Sequence, residues 1–212
     1  VIKFDAVPAG AAGGILPYAT VGRDSNYDTV PETIDLVTDV DPGAAYAVGR
    51  LAAYDASNVK VTANTALSGT INALLIAGDG IAVDTSGGLT IAGGQVVNAG
   101  GSNTMGSGGI DFGAAEPLIF VEPAATLAVS APLTGTADLR KERAGTLVLS
   151  GDNNGFSGAI TVTQGSLTAS HANALGGNAA GTTVAGGAGL YLNGVSIAAE
   201  PVTLYGGGPA AD

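Results

Sequence analysis

The chain has 212 residues, a formal net charge of −11 from seven Lys or Arg against eighteen Asp or Glu, 35 glycines and no cysteine. That sign opposes nucleic acid and anionic membrane surfaces as partners, and the 46% hydrophobic content is not the profile of a disordered chain. Glycine at this density disfavours helix bundles, since each costs about 1 kcal/mol against Ala within a helix, and no apolar run nears the ~20 residues of a membrane-spanning helix.

Residues 1–58 read as an irregular acidic segment, or an insertion linked to a preceding repeat. They hold Asp5, Asp24, Asp28, Glu32, Asp35, Asp39, Asp41 and Asp55 against Lys3, Arg23 and Arg50. Pro42-Gly43 marks a turn, and Ala44 to Tyr54 suits a short helix or an irregular excursion. The carboxylates from Asp24 to Asp41 are the best candidate for calcium. They are spread among apolar residues rather than packed into one loop, so a solvated acidic face is the simpler account.

From Val59 to Asp212 the pattern changes to short coils. Apolar-x-apolar triplets recur at Leu89-Thr90-Ile91, Ile110-Asp111-Phe112, Leu127-Ala128-Val129, Leu147-Val148-Leu149, Leu167-Thr168-Ala169 and Leu190-Tyr191-Leu192. Their start-to-start spacings are 21, 17, 20, 20 and 23 residues. A period near 20 with three short strands per turn predicts an all-β fold, a right-handed parallel β-helix (solenoid) of roughly eight to ten coils. One such rung cannot bury its inward Leu and Val alone, whereas rungs above and below close the core. The glycine pairs 87–88, 93–94, 100–101, 108–109, 176–177 and 186–187 are the expected corners. Pro123, Pro132 and Pro201 are expected at turns or strand starts, where a missing N–H is tolerated.

The clearest repeat lies at residues 141–177. GTLVLSG, GAITVTQG and GSLTAS are three glycine-led strands, with Leu147, Leu149, Ile160, Val162 and Leu167 alternating with smaller or polar residues. Lys141, Gly145, Thr146, Leu147, Leu149, Ser150, Gly151, Asn153, Phe156, Gly158, Thr161, Val162, Gly165, Leu167, Ala174, Leu175 and Gly176 stand in an order that closely resembles the autotransporter-associated β-strand repeat, or passenger-associated transport repeat. Ala144 departs from the Gly usual there, and Asn154-Gly155 lengthen one turn. The piece from Gly14 to Gly22 also resembles segments found between coils of such passengers.

The resemblance implies a structural passenger segment of a secreted or cell-surface bacterial protein. It also implies that the repeat assists export through an outer-membrane barrel, so the absence of cysteine suits a chain exported unfolded. Val1 and the glycine-rich end predict a piece of a longer chain. The expected partners are neighbouring coils of the same chain, with further copies or surface glycans beyond them. A self-assembling adhesin or filament element is one alternative function, and a polysaccharide-acting enzyme is another.

No catalytic, cofactor or metal site is expected. His171, the single histidine, sits in a turn with no G-x-S-x-G elbow in the chain. Gly78-Asp79-Gly80 and Gly108-Gly109-Ile110-Asp111 resemble a calcium nonapeptide but do not repeat, so they read as coil corners. Asp84 and Asp111 are out of phase for a hydrolase pair. Arg140, Lys141 and Arg143 alternate with acids, as a solvent-exposed turn between coils would.

Overall fold

The computed structural model describes residues 58–177 and 179–208, so the acidic run, the 44–54 excursion and the 14–22 piece lie outside the described residues. Every strand pairing among the described residues is parallel, and the seventeen strands form two sheets. The larger sheet stacks Asn58–Val61, Gly69–Ile76, Leu89–Asn98, Leu118–Val121, Leu139–Glu142, Ile160–Val162, Thr182–Val184 and Val202–Leu204 in that order. The second stacks Thr65–Ala66, Ala82–Asp84, Ser102–Gly106, Thr126–Val129, Thr146–Leu149, Ser166–Ala169 and Gly189–Leu192. Since the chain alternates between the sheets, this is a parallel β-solenoid.

Coil length follows from the register of the second sheet. Val83 pairs with Met105, Met105 with Val129, Val129 with Leu149, Leu149 with Ala169 and Ala169 with Leu192, which are steps of 22, 24, 20, 20 and 23 residues. The expected eight to ten coils therefore shrink to about six turns between Thr65 and Leu192. The turns average more than 20 residues, and residues 1–57 lie outside the described part.

Four of the six triplets stack as expected, Leu127 on Leu147 on Leu167 on Leu190. The other two belong to the larger sheet, where Leu89 pairs with Ile110 and Ile110 with Leu133. The short spacing of 17 between Ile110 and Leu127 was therefore a change of wall, not a short coil. Gly93-Gly94 is likewise no corner. It lies inside the strand Leu89–Asn98, where the register shifts between Ile71 and Ala73, and Gly94 has φ 74°. A bulge there bends the wall, and a Cβ on Gly93 would come within 3.0 Å of the Asn72 carbonyl.

The core is one continuous column of inward side chains from Val59 to Ala188. Alternation builds it: Leu147, Leu149, Ile160, Val162, Leu167 and Ala169 are buried, while Thr146, Val148, Thr161, Ser166 and Thr168 between them are half-buried. At the last described strand the column opens, with Val202 at 44% and Leu204 at 64% exposure.

Candidate functional site

The motif residues span nearly two coils, and many of them meet the coil above or below. Lys141 is on the strand Leu139–Glu142, whose burial alternates so that Leu139 and Lys141 face inward. The exposed turn expected for Lys141 is thereby corrected: the side chain is fully buried. Its ammonium donates to the carbonyls of Glu142 at 3.2 Å, Gln164 at 3.0 Å and Arg143. Three N–H donors thus meet three backbone acceptors, and Gln164 lies on the succeeding coil. Burial lowers the Lys141 pKa from 10.5 to about 8, opposed by the charges of Glu142 and Glu122. Arg140 and Arg143 do point outward, Arg140 pairing with Glu142 at 2.7 Å and Arg143 with Glu122 at 3.8 Å.

Asn153 is the second inward polar residue of the coil. Its Oδ1 accepts from the Leu133 N–H at 2.8 Å, and its Nδ2 donates to the Ala174 carbonyl at 2.7 Å. Those partners lie on the preceding and succeeding turns, so one amide joins three levels. The Asn153 carbonyl accepts from the Phe156 N–H at 2.8 Å, closing the turn that carries the buried Phe156 ring. The Asn154-Gly155 insertion is absorbed within that turn.

The motif glycines are places where backbones nearly touch. A Cβ on Gly145, Gly151, Gly158, Gly165 or Gly176 would come within 3.0 Å of a backbone carbonyl, that of Glu122, Ala131, Ala137, Gly145 or Phe156 respectively. Only glycine fits such approaches without moving a coil. Thr146 opens its strand, and Ser150 Oγ lies 3.4 Å from the Val129 carbonyl it donates to. Ala174 and Leu175 close the core over the turn.

The acidic and turn residues outside the motif act in the same way. Asn64 and Asn103 accept from the N–H groups of Ala82 and Ile81, at 2.9 and 2.7 Å. Asp79 and Asp138 accept from those of Ser102 and Ala159, at 2.8 and 2.9 Å. Each bond joins residues about one coil apart. Asp84 and Asp111 are on different sheets. Asp84 accepts from the Ser86 N–H, which lowers its pKa, and Asp111 accepts from Thr134 Oγ1 at 2.8 Å. His171 Nδ1 accepts from the Asn173 N–H at 3.1 Å and braces its turn. Beside it, an amide hydrogen bond from Asn173 lowers the Asp152 pKa. Among the described residues, no three His, Asp or Glu side chains converge on a metal site.

Sequence alone did not single out Asn103. It occupies the inward ladder position below Leu127, where the triplet search required an apolar residue. Its Nδ2 donates to Asn98 Oδ1 at 2.7 Å, which makes a polar pair within the column.

The arrangement is a stretch of stacked strands whose motif residues hold neighbouring coils together. Residues 139–169 match the family model of the passenger-associated-transport-repeat, so the chain carries such a repeat there. It is also 41% identical over 98 residues to an adhesin, the BmaC autotransporter of Brucella suis biovar 1 (strain 1330). That match covers 46% of this chain and 3% of the relative, so the chain spans a small fraction of the relative's length. No solved structure matches.

Proposed function

We propose that this segment is part of the structural shaft of a bacterial passenger at the cell surface, and that stacking of its repeat coil helps draw the chain outward during export. The observation that carries this reading is the stretch at residues 139–169, which matches the transport repeat and spends its polar and glycine positions on contacts between coils. A coil completed outside the cell adds burial worth roughly 1.5–3 kcal/mol for each inward Leu or Val. Reversal then becomes unfavourable without any nucleotide hydrolysis. A chain without cysteine also forms no disulfide that would block passage. The role is structural rather than catalytic.

The test places the segment between a signal peptide and an autotransporter barrel, and follows its exposure to protease on intact cells. Wild type should reach the surface, while Asn153→Ala and Gly158→Ala should accumulate in the periplasm in proportion to their loss of stability. Equal display of wild type and destabilised variants would overturn the export role and leave the shaft role standing. Adhesion is a second reading, favoured by the relative's description as an adhesin. It is checked by binding of the purified segment to host-cell glycans.

A further inference from the structure

Asparagine or aspartate directly before glycine is prone to cyclise onto its own backbone, because glycine carries no side chain to obstruct attack by its nitrogen. Three such pairs occur among the described residues, Asp79-Gly80, Asn154-Gly155 and Asn193-Gly194. The structure treats them differently. At Asp79-Gly80 both reacting groups are held: the carboxylate accepts from the Ser102 N–H at 2.8 Å, and the Gly80 N–H donates to the Ser102 carbonyl at 3.1 Å. At Asn193 the side-chain amide donates to Ser170 Oγ at 3.4 Å, and the backbone N–H donates to the Ala169 carbonyl at 2.9 Å.

Asn154-Gly155 is the pair left open. Both residues are exposed, at the tip of the turn that they lengthen. Among the described residues, neither the Asn154 side-chain amide nor the Gly155 N–H makes a hydrogen bond. The turn is closed around the pair by the Phe156 N–H donating to the Asn153 carbonyl at 2.8 Å.

We propose that Asn154-Gly155 is a self-modification site, where the folded chain ages into isoaspartyl and aspartyl forms and loosens the junction between coils. The Gly155 nitrogen gives up its proton to solvent base and bonds to Cγ of Asn154. The Cγ–Nδ2 bond then breaks, and the nitrogen leaves as ammonia with a proton taken from water. Water opens the resulting succinimide. Attack at Cγ yields aspartate, and attack at the main-chain carbonyl yields isoaspartate, whose backbone runs through Cβ. The second product adds a carbon to the chain between Asn153 and Phe156, inside the ring that their hydrogen bond closes.

The position gives that extra carbon its consequence. Asn153 holds Leu133 and Ala174 on the turns either side, and the carbonyl of the buried Phe156 accepts from the Gly177 N–H at 2.8 Å. Both products also set a new carboxylate near Asp152, whose Oδ1 accepts from the Asn154 backbone N–H at 3.3 Å.

The test holds the full chain at mildly alkaline pH beside an unfolded peptide of residues 150–158, and maps both by mass spectrometry. The Asn154 peptide of the full chain should gain the mass of an amide-to-acid change, faster as pH rises, and should then accept a methyl group from an isoaspartyl methyltransferase. In aged protein the amides of Phe156 and Gly177 should exchange at least about tenfold faster than in fresh protein. Asn154→Gln should show neither change, and circular dichroism matching fresh wild type checks that it has folded. Asn154 staying intact while the peptide converts overturns the proposal, as does conversion of Asn193 at an equal or greater rate. Conversion with unchanged exchange overturns the loosening.

Discussion

Asn153 joins three levels of the solenoid through two hydrogen bonds and no exposed atom. Asn153→Ala leaves the Leu133 N–H and the Ala174 carbonyl buried without partners. At about 1–3 kcal/mol for each orphaned group, the loss should be about 2–5 kcal/mol in urea denaturation. Asn153→Asp keeps the acceptor, loses the donor and buries a carboxylate, so at neutral pH it should be the worse of the two. The glycines divide by the space around them. Gly158→Ala forces a Cβ against the Ala137 carbonyl and should cost more than about 2 kcal/mol, whereas Gly100→Ala meets open space and should stay within about 0.5 kcal/mol. Lys141 gives a pH signature. Its pKa falls on folding from 10.5 to about 8, so between those values the unfolded chain holds a proton that the folded chain has released. Stability from this group therefore rises with pH across that window, and Lys141→Met should flatten the slope of midpoint against pH. The flanking charges made Lys141 read as solvated. Strand parity, which pairs it with Leu139 rather than with Arg140, was the signal that tells otherwise.

At the scale of elements, the sequence was readable wherever inward positions were apolar. Leu127, Leu147, Leu167 and Leu190 announced their ladder because small or polar residues separate them at one-coil spacing. The same rule hid Ser102–Gly106, whose inward position is Asn103, and it mixed Leu89 and Ile110 from the other wall into one series. A period does not say which wall a strand joins; only the pairing of strands does. Adjacent ladder members should be energetically coupled. Leu147→Ala and Leu167→Ala should each cost about 2–5 kcal/mol. The double variant should depart from their sum by about 0.5 kcal/mol or more, because the two cavities merge.

Among the described residues, strand pairing joins each coil only to the coils beside it, so stability is to a first approximation a chain of nearest-neighbour terms. Hydrogen exchange should show that gradient. Amides of Val202–Leu204, on the open last strand, should exchange fastest, and those of Thr146–Leu149 and Ser166–Ala169 slowest. A uniform rate along the solenoid would instead mean that it unfolds as one unit. The ladder through Leu127, Leu147 and Leu167 has a consequence for heredity. Its steps are 20 and 20 residues, so excising or duplicating one 20-residue block there returns every inward side chain to an inward position. Unequal recombination within such a gene changes the length of the shaft while leaving its cross-section intact. Length is then a trait that selection can adjust in whole coils.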